Sequence, residues 1–134
     1  LISIETLLKP EGLPRFGTAD FAHRFRRLRY LDDVPAALEE IWLDGSVVRK
    51  LNSATVSQSL YKFYRDQLGL WIVRAEDWVS LAPVPDWQIA PFPMRHGQAA
   101  GFVERFGWSQ AEMKVEYSRN WYNPKTVRYV ARLR

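Results

Sequence analysis

Phe21-Ala22-His23-Arg24-Phe25-Arg26-Arg27-Leu28-Arg29-Tyr30-Leu31, then Asp32-Asp33, then Val34-Pro35-Ala36-Ala37-Leu38-Glu39-Glu40-Ile41-Trp42-Leu43 is the stretch that decides the fold. Two extended runs flank two acidic turn formers, and Asp44-Gly45 closes the second run, which predicts a tight antiparallel hairpin. Alternation sorts its side chains. Phe25, Arg27, Arg29 and Leu31 share one face, and Arg24, Arg26, Leu28 and Tyr30 the other. On the partner strand, Glu39 falls on the apolar face of Ala37, Ile41 and Leu43. An isolated carboxylate is costly there. Either it pairs across the hairpin with Arg27 or Arg29 inside the sheet, or those arginines point into a cavity and bind an anion, with Glu39 orienting one of them. Spacing leaves both open.

Working outward, residues 1–20 hold Pro10, Gly12, Pro14 and Gly17, which break any long element and mark a boundary segment. A short helix begun by Ser3 is expected over residues 3–8. A longer helix is expected from Gln58 to Leu68, with Ser57 as its N-cap and Gly69 past its end. Val56, Leu60, Phe63, Tyr64 and Leu68 fall on one of its faces. Trp71 to Ala82 reads as a strand. Pro83 to Pro93 carries four prolines and reads as a connector with one helical turn at Asp86–Ala90. Extended segments follow at 99–108, 112–122 and 126–133. The last alternates, with Val127, Tyr129, Ala131 and Leu133 opposite Arg128, Arg132 and Arg134. This order, β-β-α-β-(α)-β-β-β, predicts an α+β fold: an antiparallel sheet with helices packed on one side.

At 134 residues the chain has room for a single domain. Its 47% apolar content argues for a packed core and against disorder. No apolar run approaches the roughly 20 residues of a membrane helix. The first residues lack a basic stretch leading into an apolar one, so no signal peptide is expected. Cysteine is absent, which excludes disulfides, thiolate metal sites and a cysteine nucleophile. Arginine supplies 14 of the 19 basic residues, four of them at Arg24, Arg26, Arg27 and Arg29. Such clustering can neutralise phosphates. Nucleic-acid surfaces more often spread their cations over a face with interleaved glycines or aromatics, so this run reads better as part of a sheet.

Two further places could hold chemistry. The mouth of the central helix offers free N–H groups and a favourable dipole for an anion, with hydroxyls at Ser57 and Ser59 and then Tyr61. Capping accounts for Ser57, which leaves Ser59 as the better ligand candidate. Along a late strand, Glu116, Ser118, Asn120 and Tyr122 alternate on one face, a row that suits a polyhydroxylated or charged small ligand as well as it suits solvent. The two histidines, His23 and His96, lack partners at metal-ligand spacing, so neither a metal nor a cofactor is expected. No Gly-rich phosphate loop or nucleophile elbow is present. Glu39-Glu40 and Glu76-Asp77 are adjacent and point to opposite faces, so neither pair forms a catalytic dyad.

Three motifs together resemble the UTRA family. Arg27-Leu28-Arg29 through Val34-Pro35-Ala36-Ala37-Leu38-Glu39 is similar to its R-x-R hairpin with P-h-h-x-E. Ser59-Leu60-Tyr61, closed by Gly69, resembles its S-L-Y helix start. Val115-Glu116-Tyr117-Ser118-Arg119 with Tyr122 resembles its late V-E-x-S strand. The likeness covers about residues 3–133, and each motif is short; their order makes the set specific. UTRA domains are the ligand-binding halves of HutC-type GntR regulators and share the chorismate-lyase-like fold. The resemblance therefore implies a cytoplasmic bacterial regulator that homodimerises. A small anionic effector, such as a sugar phosphate or carboxylate, would tune DNA binding by an N-terminal winged helix-turn-helix that is not within these 134 residues. Carried over by position, the effector residues are Arg27, Arg29, Ser59 and Glu116, with Glu39 and Tyr122; Tyr61 and Ser118 join them from the helix mouth and the strand row. Asn123-Pro124-Lys125 departs from the family's R-G-D-like turn, and Pro83–Gly97 departs from its usual connector. The alternative is an enzyme of the chorismate-lyase type. A protein-interaction module rests only on the abundance of aromatics, which a core explains equally well.

Overall fold

The hairpin forms as read. In a computed structural model, which describes residues 2–133, β2 (Phe21–Leu31) and β3 (Val34–Asp44) pair antiparallel with Leu31 opposite Val34. The loop is therefore Asp32-Asp33 alone. Both aspartates take positive φ, 49° and 64°, as a two-residue turn matched to the strand twist requires and as aspartate tolerates better than most residues. The register sets Arg27 against Glu39 and Arg29 against Ala37.

Around this hairpin lie β1 (Ser3–Leu8), α1 (Leu60–Leu68), β4 (Ile72–Pro83), β5 (Ala99–Ser109) and β6 (Lys114–Tyr122). The six strands form one sheet in the order β1-β2-β3-β6-β5-β4, every neighbour antiparallel. β6 returns to the middle, so β1 and β4 are the edges. α1 crosses one face and buries Leu60, Phe63 and Tyr64 against Phe25, Ile41 and Leu43. Burying each such side chain stabilises by roughly 1.5–3 kcal/mol. Among the described residues, the expected plural of helices becomes one α-helix and a single 3-10 turn at Ser53–Thr55.

Irregular chain covers the opposite face. Val84, Phe92 and Met94 of the proline-rich connector pack on Leu38, Phe102 and Trp121. Leu13 and Phe16 pack on Trp42 and Tyr117. Between these patches lies Glu40, fully buried, which accepts hydrogen bonds from Arg26 Nε at 2.9 Å, Trp42 Nε1 at 2.9 Å and Arg119 Nε at 3.1 Å. His23 is likewise buried and satisfied, between Thr6 Oγ1 at 2.8 Å and the Val48 carbonyl at 2.6 Å.

Four local expectations are corrected. Residues 3–8 form strand β1 rather than a helix: six residues make a marginal isolated helix, whereas β-branched Ile4 and Thr6 suit the open edge of β2, to which they pair. α1 begins at Leu60 and is capped by Ser59, whose Oγ accepts from Lys62 N at 3.3 Å; Ser57 instead donates to the Ser59 carbonyl at 2.7 Å. The turn expected at Asp86–Ala90 stays non-helical, because its aromatic and aliphatic neighbours are drawn onto the sheet. Residues 126–133 alternate like a strand yet form none. β6 lies between β3 and β5, and a turn closed by Thr126 N and Val127 N on the Asn123 carbonyl sends the chain across the sheet.

Candidate functional site

A cavity of about 640 Å³ opens on the α1 face. Strand alternation brings Arg27, Arg29 and Glu39 to it from the hairpin, and Glu116, Ser118, Asn120 and Tyr122 from β6; Ser59 and Tyr61 enter from the start of α1. The structure thus gathers all eight candidate residues on one wall system.

Glu39 pairs with both arginines, and the pairs face a cavity. Glu39 accepts from Arg27 Nη2 at 3.2 Å and from Arg29 Nη1 at 3.2 Å, while all three residues line the cavity. Arg27 also donates through Nη1 to the Gln58 carbonyl at 2.7 Å. Its buried Nε finds no acceptor, and an unsatisfied buried donor normally costs 1–3 kcal/mol. Arg29 is half exposed.

Ser59 both caps α1 and faces the cavity. Its oxygen accepts from the backbone, so its own hydroxyl proton remains available to donate. Glu116 lies deeper and is buried. Tyr64 donates to it at 2.5 Å and Tyr61 at 3.3 Å. Burial pushes the Glu116 carboxyl above the usual range, and the tyrosine hydrogen bonds only partly oppose this. Burial, with the Glu116 charge, also pushes Tyr61 up to about 12, so its hydroxyl stays protonated. Tyr122 lays its ring across Gly101, where a Cβ would come within 2.3 Å of the ring. Glycine at that position lets the ring take its place.

Sequence reasoning missed a second group. Arg105 of β5 and the terminal residues Val127, Arg128 and Tyr129 also line the cavity. Arg105 is gripped by Asp77 of β4 through Nε at 2.6 Å and Nη2 at 2.9 Å, and Tyr129 donates its hydroxyl to the same carboxylate at 2.6 Å. The hydrogen bond from Arg105 holds Asp77 below the usual carboxylate range. The signal for Arg105 was present: Gly101, Val103, Arg105 and Gly107 alternate on one face. Tyr129 left none, because it acts from a segment that imitates a strand. Among the described residues, no group of three or more His, Asp or Glu is placed to hold a metal ion.

A family model described as the UTRA domain matches residues 14–128. The chain belongs to the UTRA domain family. Its sequence is 42% identical, over all 134 residues, to the HTH-type transcriptional regulator SmoD of Agrobacterium fabrum, and it spans 57% of that protein's length. The fold is similar to the ligand-binding domain of a GntR-family transcriptional regulator from Bordetella bronchiseptica, with a TM-score of 0.80 and 20% identity over 98% of this chain and 87% of that one. It is also similar to the effector domain of PhnF from Mycobacterium smegmatis, with a TM-score of 0.75 and 18% identity over 99% of this UTRA domain and 84% of that chain. Among the described residues, no helix is long and apolar enough to cross a membrane.

Proposed function

We propose that this UTRA domain is the effector-binding and dimerising half of a cytoplasmic GntR-family regulator of the HutC type, on the chorismate-lyase-like fold. It takes a small anionic metabolite, and DNA is bound through a winged helix-turn-helix elsewhere in the full protein. One observation carries the reading: Arg27, buried with an unsatisfied Nε, converges with Arg29 and the Ser59 helix mouth on one cavity. Guanidinium groups donate in pairs to an oxyanion, and the start of a helix adds backbone donors of favourable dipole. The Ser118, Asn120 and Tyr122 row then suits the hydroxylated body of such a ligand. A ligand tunes DNA affinity only through unequal affinity for two dimer arrangements. Edge strand β4 supports the dimer, since Val73, Trp78, Val79 and Leu81 along it are each more than half exposed, and a long apolar edge is a template for pairing.

A second reading, a chorismate-lyase-type enzyme, is favoured by Glu116, since buried carboxyls with raised pKa cluster at catalytic sites. Calorimetric titration with glucose 6-phosphate, glucose and inorganic phosphate tests the first reading. Binding of the two anions, abolished or much weakened in Arg27→Ala, is the expected result. Equal binding of neutral glucose would overturn it, and turnover of a bound probe, followed by NMR, would favour the enzyme. Sedimentation should give a dimer at tens of micromolar.

A further inference from the structure

The last eleven described residues, 123–133, lack regular structure, yet three of them form part of the cavity wall. A strand-like segment with no ladder has no backbone reason to stay in place. Here a side chain holds it. Tyr129 reaches Asp77 at 2.6 Å, across 52 residues of sequence. Asp77 is itself fixed by two hydrogen bonds from Arg105. The pair Arg105–Asp77 is charge-balanced, and its third partner is a neutral phenol. Next to Tyr129, Arg128 also faces the cavity and makes no ion pair among the described residues. The cavity therefore has two ends of different chemistry. One is the Arg27, Arg29 and Ser59 end. The other combines a neutralised Arg105–Asp77 pair with the unpaired cation of Arg128.

We propose that the C-terminal segment is the far wall of the effector site, that Arg105 and Arg128 are specificity-determining residues for the ligand's distal body, and that Asp77 and Tyr129 are the positioning residues that set them. This rests on the effector reading above. With its charge balanced by Asp77, Arg105 lines the cavity and can donate to hydroxyls without a net charge to neutralise. Arg128 adds a charged donor near the mouth. The ligand class that fits both ends is an anion carrying a polyhydroxylated body, long enough to reach from Arg27 to Arg105. A bare oxyanion fills only the first end.

The test uses two probes, glucose 6-phosphate and inorganic phosphate, on four variants. Arg27→Ala should weaken both. Arg128→Ala and Tyr129→Phe should weaken glucose 6-phosphate by on the order of fivefold, the worth of about one hydrogen bond, and leave inorganic phosphate at the wild-type value. Asp77→Asn should do the same, with Arg105 released. A merely structural role would move both probes together or only the melting temperature. Unchanged glucose 6-phosphate binding in Arg128→Ala and Tyr129→Phe overturns the proposal, as does equal loss of the two probes. Hydrogen exchange without ligand is a second measure: the Val127 amide, bonded to the Asn123 carbonyl, should exchange several times faster in Tyr129→Phe than in the wild type. If wild type binds neither probe, the anion reading falls by itself, and unchanged exchange in Tyr129→Phe would then overturn the wall as well.

Discussion

Glu39 and Glu40 are adjacent in sequence, lie on opposite faces of β3, and each sits between two arginines. Around Glu40, Arg26 and Arg119 donate together with Trp42 Nε1, and the guanidinium of Arg26 stacks at 4.6 Å over the Trp87 ring. Connector and N-terminal segment close over the cluster, and the carboxylate is fully buried. Around Glu39, both closest contacts are 3.2 Å, one arginine is half exposed, the other keeps a donor without an acceptor, and nothing closes over them but a cavity. The ingredients match; the covering differs. The Glu40 carboxylate is satisfied within the fold, whereas Glu39 and its arginines line a cavity.

Breaking the closed cluster should have the largest effect. In Glu40→Ala, two guanidinium groups lose their shared acceptor, and removing one partner of a buried ion pair costs about 3–5 kcal/mol. Chemical denaturation should show that loss, while the folded fraction binds glucose 6-phosphate normally. A loss under 1 kcal/mol would erase the contrast between the faces. The open cluster should behave in the reverse sense. Arg27→Ala should reduce anion affinity on the order of tenfold to a hundredfold, from charged hydrogen bonds worth roughly 1.5–3 kcal/mol each, and Arg27→Lys should recover only part of it because an ammonium lacks the fork. Arg29→Ala should cost less than about 1 kcal/mol of stability, since the pair is solvated and Arg27 still faces Glu39. A large melting-temperature drop with unchanged affinity would make the hairpin arginines structural.

Acidity sharpens the comparison, because the two sides respond to pH in opposite directions. Burial works against the charged form of Glu40, but hydrogen bonds from Arg119, Trp42 and Arg26 outweigh it and hold the carboxyl below its ordinary range. A lowered folded pKa contributes stability above the ordinary glutamate range that is lost as pH falls through the lowered value. Glu116, raised chiefly by burial, contributes in the other sense. Its share is present below the ordinary range and lost as pH rises through the raised value. Denaturation midpoints across pH should therefore show the wild type losing stability relative to Glu116→Gln as pH rises from the ordinary glutamate range. Relative to Glu40→Gln, it should lose stability as pH falls. Parallel profiles for the two variants would contradict the assignment.

Much of this was legible in the residues. The β2–β3 hairpin, its Asp32-Asp33 turn, and the β6 row follow from period-two alternation, which is strong wherever one face is buried. The hairpin arginines and Glu116 were found for the same reason. What escaped depended on partners distant in sequence. β1 is a strand because β2 leaves an edge free, and 126–133 is not one because β6 lies inside the sheet. Asp77 and Tyr129 stand 52 residues apart and share no pattern. Glu39 and Glu40 looked alike in sequence, and only the packing over each face separates them.

Ser59 is where the smallest effects meet, and two substitutions there separate capping from recognition. Its oxygen accepts from Lys62 N, and the residue lines the cavity with its hydroxyl proton free to donate. Ser59→Ala removes both, and should cost about 1 kcal/mol of stability and a few-fold in affinity for inorganic phosphate. Ser59→Asp keeps the cap, since aspartate is as good an N-cap as serine and its charge favours the start of the helix. It also sets a carboxylate beside the space where an anion would lie. Stability should then stay within about 0.5 kcal/mol of the wild type, while phosphate binding falls further than in Ser59→Ala. Thermal melts and titrations on the two proteins give four numbers. If Ser59→Ala alone loses stability and neither variant loses affinity, Ser59 only caps α1, and the anion lies nearer the hairpin alone.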